Sequence, residues 1–79
     1  MAYTVISRPS CLWCDKAIDL LYEEGIDYDK IDITLDPWVR TLLIKAEFTT
    51  VPQVFDHNGI HIGGYEELAQ HINNLDIYQ

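Results

Sequence analysis

The sequence predicts one small α/β domain whose elements run in the order βαβαββα. Three observations carry that expectation. Short β-branched or alternating segments take turns with segments whose apolar residues recur at helical spacing. The changes of period fall at proline, glycine or Asp-Pro steps. The last two strand segments flank His57-Asn58-Gly59, a hairpin signal.

Tyr3 to Ser7 is a short β-branched run that stops at Arg8-Pro9-Ser10, which reads as a buried first strand and a turn. From Leu12 to Glu24, Cys14, Ala17, Ile18, Leu21 and Tyr22 fall at helical spacing, and Gly25 supplies the stop. Tyr28 to Ile33 alternates and predicts a second strand with one wet face. Asp36-Pro37 is an N-cap followed by a first-turn proline, and Val39, Leu42, Leu43 and Ala46 continue that helix as one apolar stripe. Val51 to Asp56 and Ile60 to Ile62 form the hairpin, which Gly63-Gly64 ends. Tyr65 to Leu75 is the last helix, with Leu68, Ile72 and Leu75 inward and Glu66 and Glu67 at its positive end. Tyr22, Tyr28, Trp38, Phe48 and Phe55 are expected to pack in the core or at its rim.

A chain of 79 residues makes one domain, spanning 1–79, with a core of modest size. An apolar share of 48% suits a globular fold and not a disordered one. The net charge of −8 argues against nucleic acid, whose binding needs cations in excess. Met1-Ala2-Tyr3-Thr4 lacks a basic start and no apolar run nears the ~20 residues of a membrane span, so no membrane partner and a cytoplasmic location are expected. A Cys-x-x-Cys pair in such a reducing compartment is redox-active or metal-binding more often than structural.

Cys11-Leu12-Trp13-Cys14 holds both cysteines of the chain, where the first strand gives way to the first helix. The attacking species in disulfide exchange is the thiolate. Cys11 sits at a helix start, where unpaired N–H groups favour negative charge, with Arg8 and Lys16 close in sequence. Cys14, one turn inward, is more enclosed and suits resolution. Buried structural thiols would not need that placement. A zinc site with His57 and His61 has suitable pair spacings, but the intervening segment is far longer than the ~12–15 residues of a finger. No bound metal is therefore expected.

Three separated motifs, Arg8-Pro9-Ser10-Cys11-Leu12-Trp13-Cys14, Thr50-Val51-Pro52 and Gly63-Gly64-Tyr65-Glu66-Glu67-Leu68, resemble those of a short dithiol glutaredoxin over nearly the whole chain. The resemblance implies a thioredoxin-like fold, a four-stranded mixed sheet flanked by three helices. It implies Cys11 as nucleophile and Cys14 as resolver, with glutathione as co-substrate and no bound cofactor. The Val51-Pro52 bond would be cis, presenting Val51 beside the thiolate. Glutathione would be held by Arg8, Trp13, Thr50, Val51, Pro52, Gly64, Tyr65, Glu66 and Glu67. Within that set, the N–H groups of Tyr65 and Glu66 would take the γ-glutamyl carboxylate and Glu67 the amine. From charge placement, Arg8 with Arg40 or Lys45 would meet the glycine carboxylate, unless Arg40 and Lys45 are solvated helix residues balancing acids. A monomer acting on disulfide or glutathionylated proteins, ribonucleotide reductase among them, is implied. Leu12 and Trp13 depart from the usual proline and tyrosine, so the reduction potential does not transfer. Trp13 is either a contact surface or a packing residue, and Glu66 places a like charge near the substrate carboxylate. Two other functions fit the pattern: a redoxin reduced by thioredoxin reductase, or a carrier in which Cys11 of two protomers and two glutathiones hold an iron–sulfur cluster.

Overall fold

Seven elements follow one another in the computed structural model, which describes residues 2–77. They are β1 (Tyr3–Ser7), α1 (Leu12–Glu23), β2 (Tyr28–Asp32), α2 (Pro37–Lys45), β3 (Gln53–Phe55), β4 (His61–Gly63) and α3 (Tyr65–Ile77). The order matches the sequence expectation. The strands form one mixed sheet in the order β2-β1-β3-β4. β1 runs parallel to β2, with Val5 opposite Lys30, and antiparallel to β3, with Val5 opposite Val54. β4 closes the sheet antiparallel to β3, with an irregular register at Val54 and Phe55.

The period-2 alternation of β1 and β3 feeds two cores, one on each face of the sheet. Tyr3, Val5 and Val54 meet Ala17 and Leu21 of α1 and Leu68 and Ile72 of α3. Ile6 meets Val39 and Leu43 of α2, with Ile31, Ile33, Phe48 and Phe55 around them. Val5, Ala17, Leu21, Val54 and Leu68 are fully buried, and each large one contributes about 1.5–3 kcal/mol of burial. α1 and α3 therefore cover one face and α2 the other. That arrangement carries the N-termini of α1 and α3 to the same end of the sheet as the loop before β3.

Several boundaries differ from the sequence expectation for local reasons. β2 stops at Asp32 because its carboxylate captures the Thr34 N–H at 2.8 Å and hydroxyl at 2.6 Å, so Ile33 begins a turn. β3 starts at Gln53 because Pro52 has no N–H to give to a ladder. α1 ends as expected, with Gly25 at φ +68 and the N–H groups of Gly25 and Ile26 bonded back to Tyr22 and Leu21. α2 ends on the same device with Glu47 at φ +63 in the glycine position; Glu47 and Phe48 bond back to Ile44 and Leu43. Asp36 and Pro37 start α2 as expected, though the Asp36 side chain makes no capping bond.

Leu42, Leu75, Tyr22 and Trp38 do not pack inward as the sequence suggested; all four are exposed. α2 meets the sheet through Val39 and Leu43 alone, a stripe one residue wide, so neighbours on either side turn to solvent. The same holds on α1, where Cys14, Ala17 and Leu21 form the buried line and Tyr22 lies beyond it. Among the described residues, no helix is long and apolar enough to cross a membrane.

Candidate active site

Ser10 turns the chain out of β1 with φ +59, and Cys11 follows in an extended conformation as the N-cap of α1. An N-cap side chain faces the unpaired N–H groups of the first turn. Here the capping atom is sulfur: the Cys14 N–H donates to Cys11 Sγ at 3.2 Å. Cys11 and Cys14 are joined by a disulfide, with Cα atoms 5.2 Å apart. One helical turn sets that spacing, so the bond can open and close with little movement of the backbone. Both cysteines are buried, Cys14 at 1% exposure and Cys11 at 7%, leaving Cys11 the outer sulfur. Its Sγ lies 3.9 Å from the Val51 carbonyl oxygen. The Val51-Pro52 bond is cis, as the family resemblance implied.

Beside Cys11 lies a pocket of about 240 Å³ lined by Trp13, Thr50, Val51, Pro52, Gly64, Tyr65, Glu66 and Glu67. Every one of these was singled out from sequence, and they come from three separated motifs. Trp13 is half exposed, and its ring leans on Tyr65 at 5.6 Å between centroids. Lys16 sits 4.7 Å over that ring. Trp13 therefore both packs and presents a face, which joins the two roles that the sequence left open. Arg8 does not line this pocket. It lines an adjoining groove of about 460 Å³ with Arg40, Leu43, Ile44, Phe48, Thr49, Thr50 and Val51. Arg40 is thus the cation of α2 that accompanies Arg8; Lys45 is not in the groove.

The start of α3 is built by Gly63 and Glu67. Gly64 is the N-cap, its carbonyl accepting from Leu68 N–H at 3.0 Å. Glu67 Oε1 reaches back to the Gly64 N–H at 2.9 Å, one half of a capping box. Gly63 makes room for it: at φ +128, an added Cβ would stand 2.9 Å from the Glu67 side chain. Glu67 therefore holds its carboxylate at the pocket wall and stabilises the helix by one act. Glu66 is exposed and takes no part in this cap.

One support of the site was not foreseen. Gln53, buried beneath the loop, donates to the Thr50 carbonyl at 2.9 Å and lies 3.3 Å from its hydroxyl. Gln53 Oε1 pairs with His61 Nε2 at 2.7 Å, and His61 stacks on Phe48 at 4.3 Å. The loop that carries Val51 is thereby clamped from β3 and β4. A polar residue directly after a Val-Pro step in a buried strand was the available signal. His57 stacks near Tyr3 on the other core, so it and His61 do not converge with the cysteines.

Comparison with known proteins adds to this geometry. The glutaredoxin family profile matches residues 3–62. The chain is 32% identical over 65 residues to glutaredoxin 3 of Escherichia coli K12, covering 81% of this chain and 77% of that protein. It is 34% identical over 68 residues to the hybrid peroxiredoxin hyPrx5 of Haemophilus influenzae, covering 86% of this chain and only 28% of that relative's length. Among solved structures, reduced Escherichia coli glutaredoxin superposes with a TM-score of 0.74 at 34% identity, covering 96% of this chain and 99% of that one. A buckwheat glutaredoxin–glutathione complex gives 0.77 at 28%, covering 91% and 68%.

Proposed function

The chain belongs to the glutaredoxin family, and on that premise we propose that this thiol–disulfide oxidoreductase draws its electrons from glutathione. The observation that carries the proposal is the pocket beside Cys11, whose wall is made by Trp13, the Thr50–Pro52 loop and the start of α3. The tripeptide would lie with its sulfur toward Cys11 and its γ-glutamyl end at α3. There the N–H groups of Tyr65 and Glu66 favour a carboxylate, and Glu67 an amine. Its glycine carboxylate would reach Arg8 and Arg40 in the adjoining groove. The buckwheat relative solved with glutathione supports this reading.

In the reaction proposed, the Cys11 thiolate attacks the glutathione sulfur of a mixed disulfide and expels the other partner as a thiolate, which takes up a proton. A second glutathione thiolate then attacks the sulfur of the bound glutathione, which forms glutathione disulfide and frees Cys11 as its thiolate. Alternatively Cys14 attacks Cys11 Sγ, releases that glutathione as a thiol and leaves the Cys11–Cys14 disulfide for two further glutathiones to reduce. The Cys14 N–H, already aimed at Cys11 Sγ, would stabilise the negative charge before attack and after release. The site is sized for a peptide-like thiol, so the clients proposed are glutathionylated and disulfide-containing proteins of the cytoplasm. Ribonucleotide reductase is the client that the family resemblance suggests, and the chain is proposed to act as a monomer.

The test is turnover of a small glutathione mixed disulfide with glutathione and glutathione reductase, set against thioredoxin reductase alone. Turnover with the first system and little with the second is expected. The reverse pattern overturns the proposal in favour of a redoxin fed by thioredoxin reductase.

A further inference from the structure

Two pockets adjoin at the loop beside Cys11 and together form a cleft whose two ends carry opposite charge. The pocket at α3 and the groove at α2 share Thr50 and Val51, and the Val51 carbonyl lies beside Cys11 Sγ. The charged residues of the α2 end are Arg8 and Arg40; those of the α3 end are Glu66 and Glu67. Glutathione accounts for one carboxylate at the α3 end, since its single amine needs one partner. Glu67 supplies that partner and is fixed by the Gly64 N–H, whereas Glu66 is exposed and takes no part in the cap. The pair exceeds what the tripeptide requires, and it suits a cationic side chain.

We infer that the cleft selects, among cysteine-bearing protein segments, those with basic residues on the N-terminal side of the cysteine and acidic residues on the C-terminal side. The order rests on the glutathione orientation proposed above, in which the γ-glutamyl, N-terminal end lies at α3. A segment laid in the same direction puts a lysine or arginine against Glu66 and Glu67 and an aspartate or glutamate against Arg8 and Arg40. Leu12, exposed beside Cys11, and Trp13, half exposed at the pocket wall, offer apolar contact for the segment's uncharged side chains. The net charge of −8 alone would favour any cationic client. The polarity of the cleft adds a dependence on order, which net charge does not give.

The test uses the pre-reduced protein and symmetrical disulfides of two short peptides of identical composition. One has two lysines before the cysteine and two glutamates after it; the other has the reverse order. In each reaction Cys11 forms a mixed disulfide with one peptide and expels the other as a thiolate. Cys14 then displaces the bound peptide, so the dithiol loses two electrons, the protein disulfide forms and two peptide thiols appear. Rates are followed in single turnover by released thiol. Because the net charges are equal, long-range attraction cancels. The lysine-first peptide is expected to react about tenfold faster at low ionic strength, two exposed ion pairs each giving a few-fold, with the ratio falling toward one near 1 M salt. Glu66→Gln and Arg40→Gln should each shrink the ratio without reversing it. Equal rates for the two orders, or a glutamate-first preference, overturn the inference. Glutathione turnover is measured on the same protein. Order preference without glutathione turnover sinks the glutathione reading and leaves the cleft polarity standing; the opposite pair of results does the reverse.

Discussion

Cys11 meets three requirements from one position: it caps α1, accepts the Cys14 N–H and faces the Val51 carbonyl. Cys11→Ser is expected to abolish turnover, because a hydroxyl is not ionised near neutral pH. Cys14→Ser should keep most activity on glutathione mixed disulfides, where free glutathione resolves the intermediate; loss of that activity in steady-state assays would make Cys14 indispensable instead. Glu67 allows a finer separation. Glu67→Gln keeps an oxygen for the Gly64 N–H and removes the charge, so KM for glutathione should rise several-fold with the unfolding midpoint little changed. Glu67→Ala removes both and should also cost about 0.5–2 kcal/mol of stability. If Glu67→Gln leaves KM unchanged while Glu67→Ala still loses stability, Glu67 has only its capping role. Cys11 and Cys14 were legible because their chemistry is local, a Cys-x-x-Cys at a helix start; Glu67 was marked only through the family resemblance, and its cap on Gly64 was not read from the sequence. The Gln53–His61 clamp was not legible. It depends on the irregular register between β3 and β4 that brings His61 over Gln53 and Phe48.

The two helix ends that close on the same motif show how far an element can be read from its residues. Gly25 marks the end of α1 because only glycine adopts its left-handed conformation without cost. Glu47 does the same work at α2 against its own preference, so no signal marked that boundary. Glu47→Gly should therefore raise stability, by up to about 1 kcal/mol, as read from a denaturant midpoint; a loss would mean the Glu47 side chain makes a compensating contact. Ser7 is a second local conflict. Its hydroxyl is fully buried at the end of β1 without a hydrogen-bond partner, so Ser7→Ala should be neutral or stabilising by about 1 kcal/mol. The expected apolar stripes of α1, α2 and α3 were too wide for a physical reason. Helical spacing names the residues near a face, but only contact with the sheet decides which of them are covered. Val39 and Leu43 are covered, and Leu42 between them is not.

At the scale of the whole molecule, the element order followed from alternation and period, the sheet flanked by helices came with the family resemblance, and three motifs far apart in sequence converged around Cys11. The opposite charges at the two ends, Arg8 and Arg40 against Glu66 and Glu67, were already placed from the sequence and the family resemblance, and the two pockets hold them as that reading put them. The acidity of the chain as a whole shapes the response to pH. Asp32 is held below the usual carboxylate range by the Thr34 hydroxyl and N–H, and Asp56 by the N–H groups of Ile60 and Asn58. A carboxylate with a depressed folded-state pKa stabilises the fold above its unfolded value, near 3.9, and loses that contribution as pH falls through the folded value. Unfolding midpoints of Asp32→Asn and Asp56→Asn should thus lie below the parent at pH 6 and converge with it toward pH 2; a gap independent of pH would assign the loss to the turns alone. The central claim, that Cys11 takes glutathione in preference to its protein partner, is tested most directly with Cys14→Ser and a neutral glutathionylated peptide. Intact mass and the pH dependence of the exchange rate are recorded together. The account predicts that glutathione is retained on Cys11 while the peptide leaves as its thiol, with a rate that rises through a pH well below the ~8.5 of a free cysteine. Retention of the peptide on Cys11, or a rate that rises only near the free-thiol value, would contradict it.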